Sequence, residues 1–450
     1  MFRRILCAVL RLALRIYFRR VEIVGLENVP TDKPVIFVLN HPNALVDPVF
    51  LLCLAPRRVS FLAKAPLFRM PVIGSLVRAL DSLPAYRQQD AGEDMTRNRE
   101  TFEAAWRLLS RGGTIGICPE GVSHNEPRLK PLKTGAARIA LGAASSGGQL
   151  DVKIVPVGLY YTEKTTFRSS ALLRFGEPIN VEPVELQPDG APPREAVHAL
   201  RKQIEEALRD VILHAEHDEA LALVDRVEQI FSADELSEHD EEQSLARSLQ
   251  VRQRLLEGYG ILRTRSPKRI AAIDVRVNRL HSELQQAGID PFDLSLPASA
   301  AQTITWLLAQ FAISLLLAPF AIVGALLHYP AYRLAGYLAR TLSRGEQDVV
   351  STFKIVAALL FFPLTWLVVS VITWAYVGLF AALGALVMVP VCGYVAIRFT
   401  EELDRLSGGF QALMLFLLRR RWFLRLLAER AAIRKEILAL RDETLPTKAG

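Results

Sequence analysis

The residues able to do chemistry sit in two short turns. The first is Asn40-His41-Pro42-Asn43-Ala44-Leu45-Val46-Asp47-Pro48, directly after the apolar run Val35–Leu39. The second is Cys118-Pro119-Glu120-Gly121-Val122-Ser123-His124, at the end of another such run. On one continuous helix His41 and Asp47 would lie about 120° apart and almost two turns away. Pro42 and Asn43 favour a turn instead, and Asp47-Pro48 reads as a helix start with Asp at the N-cap and Pro at N1. His41 can then fold back toward Asp47, whose carboxylate holds one imidazole nitrogen and leaves the other to take a proton from a hydroxyl. Taken alone, a capping aspartate beside a turn histidine accounts for the same residues equally well.

In the second turn Gly121 allows the backbone to approach a ligand, and Ser123 and His124 add short-range donors. Lys130 and Lys133 follow closely, and Arg87 closes the turn Leu83-Pro84-Ala85-Tyr86-Arg87. These cations suit a phosphate monoester, although each one singly reads as a surface charge. Glu120 would repel a phosphate, so it is expected to bind an acceptor hydroxyl or to fix the loop.

An α/β layer must position both turns. Strands are expected at Val21–Val24, Val35–Leu39, Val59–Ala63, Thr114–Cys118, Val152–Val157 and Ala171–Phe175, with helices over 48–55, 97–111 and 134–146. Residues 1–20 are expected to form an interfacial amphipathic helix, with Arg4, Arg11, Arg15 and Arg19 on one stripe reaching lipid headgroups. The region 186–300 reads as amphipathic helices broken at Ser266-Pro267 and again between Gly288 and Pro291. His214, His217 and His239 lie there beside acids, but a solvated helix face explains them better than a metal site. No metal is expected.

The chain has 450 residues, 51% of them hydrophobic, and a mean hydropathy of +0.22, which calls for membrane segments. Residues 306–327 carry no charge and 355–397 form an uncharged run of 43, enough for spans at about 306–327, 355–375 and 376–397 within a membrane region over 301–400. The linker 328–354, the tail 401–450 and the stretch around Lys268–Arg279 are all basic, and three spans cannot put all of them on one side. Either the first segment is re-entrant or the charge rule is broken once. Net charge is +7, with six arginines and no acid in residues 1–20, so the basic ends point to anionic lipid and not to nucleic acid. Cys7, Cys53, Cys118 and Cys392 match no zinc or disulfide pattern and fit a reduced, cytosol-facing protein. A serine hydrolase would want Gly-x-Ser-x-Gly and a nucleotide-dependent enzyme Gly-x-x-x-x-Gly-Lys-Ser or Thr; both are absent. A non-catalytic membrane scaffold would have no need of His41, Asp47, Glu120 and Gly121 together.

In order and spacing the blocks resemble those of the glycerolipid acyltransferase superfamily of the PlsC type, over about residues 20–180. Five residues separate His41 from Asp47 where the superfamily usually has four. That departure, with Pro119-Glu120-Gly121-Val122-Ser123-His124 and Leu129-Lys130-Pro131-Leu132-Lys133, is similar to the fungal-type glycerol-3-phosphate and dihydroxyacetone phosphate acyltransferases. Arg87 falls at the arginine of the second block. The fourth block reads Ile154-Val155-Pro156-Val157-Gly158, followed by Phe167-Arg168-Ser169.

The resemblance implies a mixed sheet flanked by helices over 21–185, with a helical insert and C-terminal transmembrane helices. It implies acyl transfer from acyl-CoA or acyl-carrier protein, with no cofactor, to a phosphorylated glycerol. His41 would be the base oriented by Asp47. Asn43, Arg87, Glu120, Gly121, Ser123 and His124 would bind the acceptor, with Lys130, Lys133 and Arg168 as further phosphate contacts. An acylglycerol-phosphate or another lysophospholipid is the alternative acceptor. The expected setting is an integral membrane protein with its catalytic domain in the cytoplasm, among membrane lipids; the sequence sets no oligomeric state.

Overall fold

β-rich and helical runs alternate up to about residue 180, and helix follows thereafter. The computed structural model describes residues 2–444 except 72, 88–89, 91–93, 147–149, 236–243 and 289–299. It divides into two units, Met1–His214 with Arg340–Ile355, and Ala215–Ala339 with Val356–Gly450.

In the first unit, β1 (Arg20–Val24), β2 (Val35–Leu39), β3 (Val59–Lys64), β4 (Leu83–Ala85), β5 (Thr114–Ile117), β6 (Lys153–Tyr161), β7 (Ser170–Phe175) and β8 (Ile179–Asn180) make one mixed sheet. The order is β1-β7-β6-β2-β5-β3-β4, with β8 paired to β6. β6 runs antiparallel to β7 and β8, and the remaining pairs are parallel. Helices α1 (Phe2–Tyr17) and α2 (Val46–Leu54) cover one face. Beyond α3 (Ile73–Ala79) in the chain, α4 (Asn98–Ser110), α5 (Gly135–Ser145) and α6 (Arg194–Val211) cover the other.

The period-2 alternation of β2 shows why both faces are filled. Val35, Phe37 and Leu39 pack with Leu14, Tyr17 and Phe50, whereas Ile36 and Val38 pack with Leu109, Ile139 and Ile204. β6 runs on from the expected Val157 to Tyr161, because β7 pairs with it as far as Ala171 opposite Tyr161. β4 and β8 are too short to leave a periodic signal in the sequence.

α1 stops at Tyr17 instead of reaching residue 20, where β1 begins pairing with β7. Two of its arginines turn inward. Arg3 donates to the carbonyls of Val59 and Leu80, and Arg11 Nη2 donates to the Cys53 carbonyl at 2.6 Å. The face left outward carries Phe2, Ile5, Val9 and Leu12, all exposed, alongside exposed Arg4 and Arg15. An apolar stripe at helical spacing between arginines is what an interfacial helix presents to lipid. Burial and the neighbouring Cys7 push the Cys53 thiol up to about 12, so under α1 it acts as an inert packing group.

The second unit is helical. α7 (Asp218–Glu235), α8 (Leu245–Arg265) and α9 (Pro267–Gln286) precede three long apolar helices, α10 (Ala300–Leu342), α11 (Gln347–Val377) and α12 (Leu379–Leu418), and α13 (Arg420–Thr444) follows. The break at Ser266-Pro267 separates α8 from α9 as expected, with Pro267 opening the new helix. The second expected break falls largely on residues 289–299, outside the described residues.

Leu308–Leu342, Gln347–Val377 and Leu379–Asp404 are long and apolar enough to cross a membrane. Gly378, at φ +116°, makes the turn between α11 and α12. Two glycines let α10 and α12 touch: a Cβ on Gly324 would stand 2.0 Å from the Cys392 carbonyl oxygen, and one on Gly393 would meet the His328 ring.

α9 and α13 share one core of Ile273, Val277, Leu280, Phe423, Leu426 and Ile433, and Arg276 bridges to Glu429 at 2.9 Å. α9 precedes the three apolar helices and α13 follows them, so an odd number of complete crossings would separate the pair.

Candidate active site

β2, β5 and β6 are parallel neighbours, so their carboxyl ends open along one edge of the sheet, where α/β sheets bind ligands. His41 leaves the end of β2, Glu120 follows β5, and Tyr161 ends β6.

Asp47 is fully buried. Its Oδ2 accepts from His41 Nδ1 at 2.9 Å and from the Asn43 amide at 2.7 Å, while Oδ1 accepts from the Tyr161 hydroxyl at 2.7 Å. The expected N-cap role is not what the structure shows. α2 begins at Val46, and the Asp47 carboxylate turns back onto the His41–Asn43 turn instead of capping its own helix. An ionised carboxylate can only accept, so the network assigns the imidazole proton to Nδ1 and leaves the Nε2 lone pair for a substrate proton.

Burial by itself would pull the His41 imidazole down. Cys118 and the Asp47 carboxylate outweigh it and hold the group well above 6.5. Burial, then the same carboxylate, push the Tyr161 phenol well above its usual range, so its hydroxyl stays a donor to Asp47.

Glu120 is 2% exposed and both its oxygens are taken. Oε1 accepts the His41 amide at 3.2 Å; Oε2 accepts the Lys130 amide at 2.8 Å and pairs with His124 Nε2. Of its two expected roles, the loop clamp is the one this geometry serves. His124 is part of the clamp, and its amide also donates to the His41 carbonyl at 3.1 Å, while its Nδ1 is buried without a hydrogen-bond partner among the described residues. Gly121 sits at φ +77°, in the left-handed region that favours glycine, and places the loop beside the Lys133 stem.

Arg87 reaches this loop. Nη1 donates to the Gly121 carbonyl, while Nε and Nη2 grip Asp90 at 2.9 and 2.7 Å. Lys130 pairs with Glu126 at 3.3 Å, and Lys133 is exposed. Asn43 is fully buried, with neither amide atom partnered among the described residues; its backbone amide contributes to the turn. Arg168 is not brought to the site. Its guanidinium donates at 3.3 Å to the carbonyls of Arg15, Ile16 and Phe18, satisfying the open end of α1. His214 Nδ1 accepts the Leu129 amide at 3.1 Å, which makes it a loop anchor. His239 lies outside the described residues.

Three residues absent from the sequence-based candidates enter here. Tyr161 was legible, because period 2 puts it on the same face as Val155, Val157 and Leu159. Lys164 lies in the field of Asp47, Asp348 and Glu120, and burial lowers its ammonium despite them. Asp348 accepts a hydrogen bond from the Ser123 hydroxyl. No local pattern links residues so far apart in the chain.

Two family models match the chain: Acyltransferase over residues 20–160, and glycerol-3-phosphate acyltransferase 2 C-terminal domain over residues 236–448. Glycerol-3-phosphate O-acyltransferase 2 of Saccharomyces cerevisiae is 28% identical over 61% of this chain and 38% of its own length. Glycerol-3-phosphate O-acyltransferase 1 of the same yeast is 25% identical over 80% of this chain and 59% of its own length. The chain thus spans well under two thirds of either yeast relative. The crystal structure of the 1-acyl-sn-glycerophosphate acyltransferase PlsC from Thermotoga maritima is 22% identical, covering 46% of this chain and 79% of that one at a TM-score of 0.34. With its histidine–aspartate and Pro-Glu-Gly turns at the ends of adjacent strands, the stretch 20–160 carries a domain of the Acyltransferase family, followed over residues 236–448 by a match to the glycerol-3-phosphate acyltransferase 2 C-terminal domain.

Proposed function

We propose that the chain is an O-acyltransferase that moves a fatty acyl group from acyl-CoA or acyl-carrier protein to a hydroxyl of glycerol-3-phosphate or dihydroxyacetone phosphate. The observation that carries this reading is the Tyr161–Asp47–His41 hydrogen-bond chain, which opens beside the Glu120–Gly121 loop. His41 Nε2 takes the acceptor hydroxyl proton as the oxygen attacks the thioester carbonyl. The tetrahedral intermediate then collapses, the thiolate leaves, and the imidazolium returns the proton to it. Asp47 holds the imidazole in the productive tautomer, and Tyr161 holds Asp47. Lys133, beside Gly121, supplies positive charge for the acceptor phosphate. The names of both yeast relatives support a glycerol phosphate acceptor. The outward stripe of α1 and the three apolar helices support a membrane setting among lipids. Free cysteines support a catalytic unit on the cytoplasmic side.

The test is purified protein in detergent, given one acyl-CoA and offered glycerol-3-phosphate, dihydroxyacetone phosphate, 1-acylglycerol-3-phosphate or glycerol. Acylation of a phosphorylated glycerol with matching release of free CoA is expected. A preference for unphosphorylated glycerol removes the phosphate from the reading.

The site also sets a pH dependence. His41 acts as its free base, and its raised value means that less free base is present at neutral pH. The acidic limb of kcat/KM is therefore expected above 6.5, with the rate climbing as pH rises. Cys118→Ala removes one of the two upward influences, so its limb moves to lower pH. A limb at the same pH in both proteins removes Cys118 from the tuning. The same pairing stabilises the fold fully below the ordinary imidazole range, and that contribution is lost as pH climbs through the raised value.

A further inference from the structure

The first turns of α11 belong to the first unit and grip both loops that frame the site. Asp348, Ser351 and Lys354 lie three residues apart on one helical face. Asp348 accepts from the Ser123 hydroxyl, and neighbouring Gln347 Oε1 accepts from Asn125 Nδ2 at 3.2 Å. Ser351, fully buried, donates to the Lys164 carbonyl and accepts from the Tyr17 hydroxyl at 3.2 Å. Lys354 Nζ donates to the Thr165 carbonyl at 2.6 Å. One helix end thus holds the loop after β5 and the loop after β6 together.

A serine hydroxyl has one proton and two lone pairs, and an ionised carboxylate can only accept. With its proton directed at Asp348, Ser123 can meet a ligand only as an acceptor. We propose that Asp348 is a positioning residue that sets acceptor choice: by holding the Ser123 proton it suits the site to a glycerol-type acceptor with a free secondary hydroxyl, and not to the ketone analogue. The proposal rests on the acyl-transfer reading above. In glycerol-3-phosphate the hydroxyl next to the reacting carbon donates to Ser123. In dihydroxyacetone phosphate a carbonyl stands there, and two acceptors face each other beside the part-buried Ser123. A site built for a donor penalises the analogue that lacks one.

The test is competition between glycerol-3-phosphate and dihydroxyacetone phosphate for one acyl-CoA, using full-length protein in detergent, read as the ratio of kcat/KM. The wild type is expected to favour glycerol-3-phosphate by about tenfold or more. Asp348→Asn can donate its own amide to Ser123 and release the serine proton, so its ratio is expected to fall by about fivefold, chiefly through better use of the ketone. Ser123→Ala removes the selecting atom and is expected to lower the ratio likewise, which keeps the test open should the Asn variant misfold. A general loss of structure lowers both rates and leaves their ratio alone. A wild type that favours the ketone, or variants active on both acceptors with an unchanged ratio, overturns the proposal. Failure of the wild type to acylate either acceptor overturns the acyl-transfer reading itself, and the proposal with it.

Discussion

His41→Ala is expected to lower kcat by about 10²- to 10⁴-fold, the range a positioned general base supplies, with little change in KM for the acceptor. The substitution isolates the imidazole well. The His41 backbone amide still donates to Glu120, and its carbonyl still accepts from the His124 amide, so both turns keep their ties. Asp47 retains the Asn43 amide and the Tyr161 hydroxyl. Initial rates on purified protein, with a thermal melt as the fold control, make the measurement. Activity within a few-fold of wild type would remove His41 as the base, and the second turn would then have to act on a substrate activated some other way.

Glu120→Ala should be the most damaging single change to the architecture of the site. The carboxylate is buried and receives the amides of His41 and Lys130 and the His124 ring. Its removal leaves two part-buried N–H groups and an imidazole without their acceptor, and each buried polar group left unpaired costs about 1–3 kcal/mol. Because one of those amides belongs to His41, the base should also lose its position, and kcat should fall along with stability. Glu120→Gln keeps one accepting oxygen but faces one of the three donors with its own N–H₂, so an intermediate loss is expected. Chemical denaturation monitored on the first unit, alongside rates, separates the two effects. An alanine variant within about 0.5 kcal/mol of wild type would show that the loop does not depend on this clamp.

These two residues also show how much was legible in advance. His41 and Asp47 are neighbours in sequence, and the turn chemistry of Pro42 and Asn43 already folds one toward the other. Glu120 was ambiguous because its use depends on which donors surround it. Those donors come from the ends of β2 and from the stretch after Gly121, so its role follows from the parallel pairing of β2 with β5. Arg168 sits next to a fourth-block serine and looked like a phosphate contact. The end of α1 arrives from 150 residues away and takes its guanidinium instead.

Local sequence sufficed for six of the eight described strands, for α1, α2, α4 and α5, for the long apolar segments and for the two turns that carry the chemistry. Those features rest on periodicity, local turn residues and uncharged length, all of which act within a few residues. Only the tertiary structure decided that Tyr161 holds Asp47, that Glu120 clamps the loop, that α1 turns Arg3 and Arg11 inward, and that Asp348 takes the Ser123 proton. Each of these is a hydrogen bond between distant parts of the chain, and its geometry exists only once sheet order and packing have brought both ends to one place.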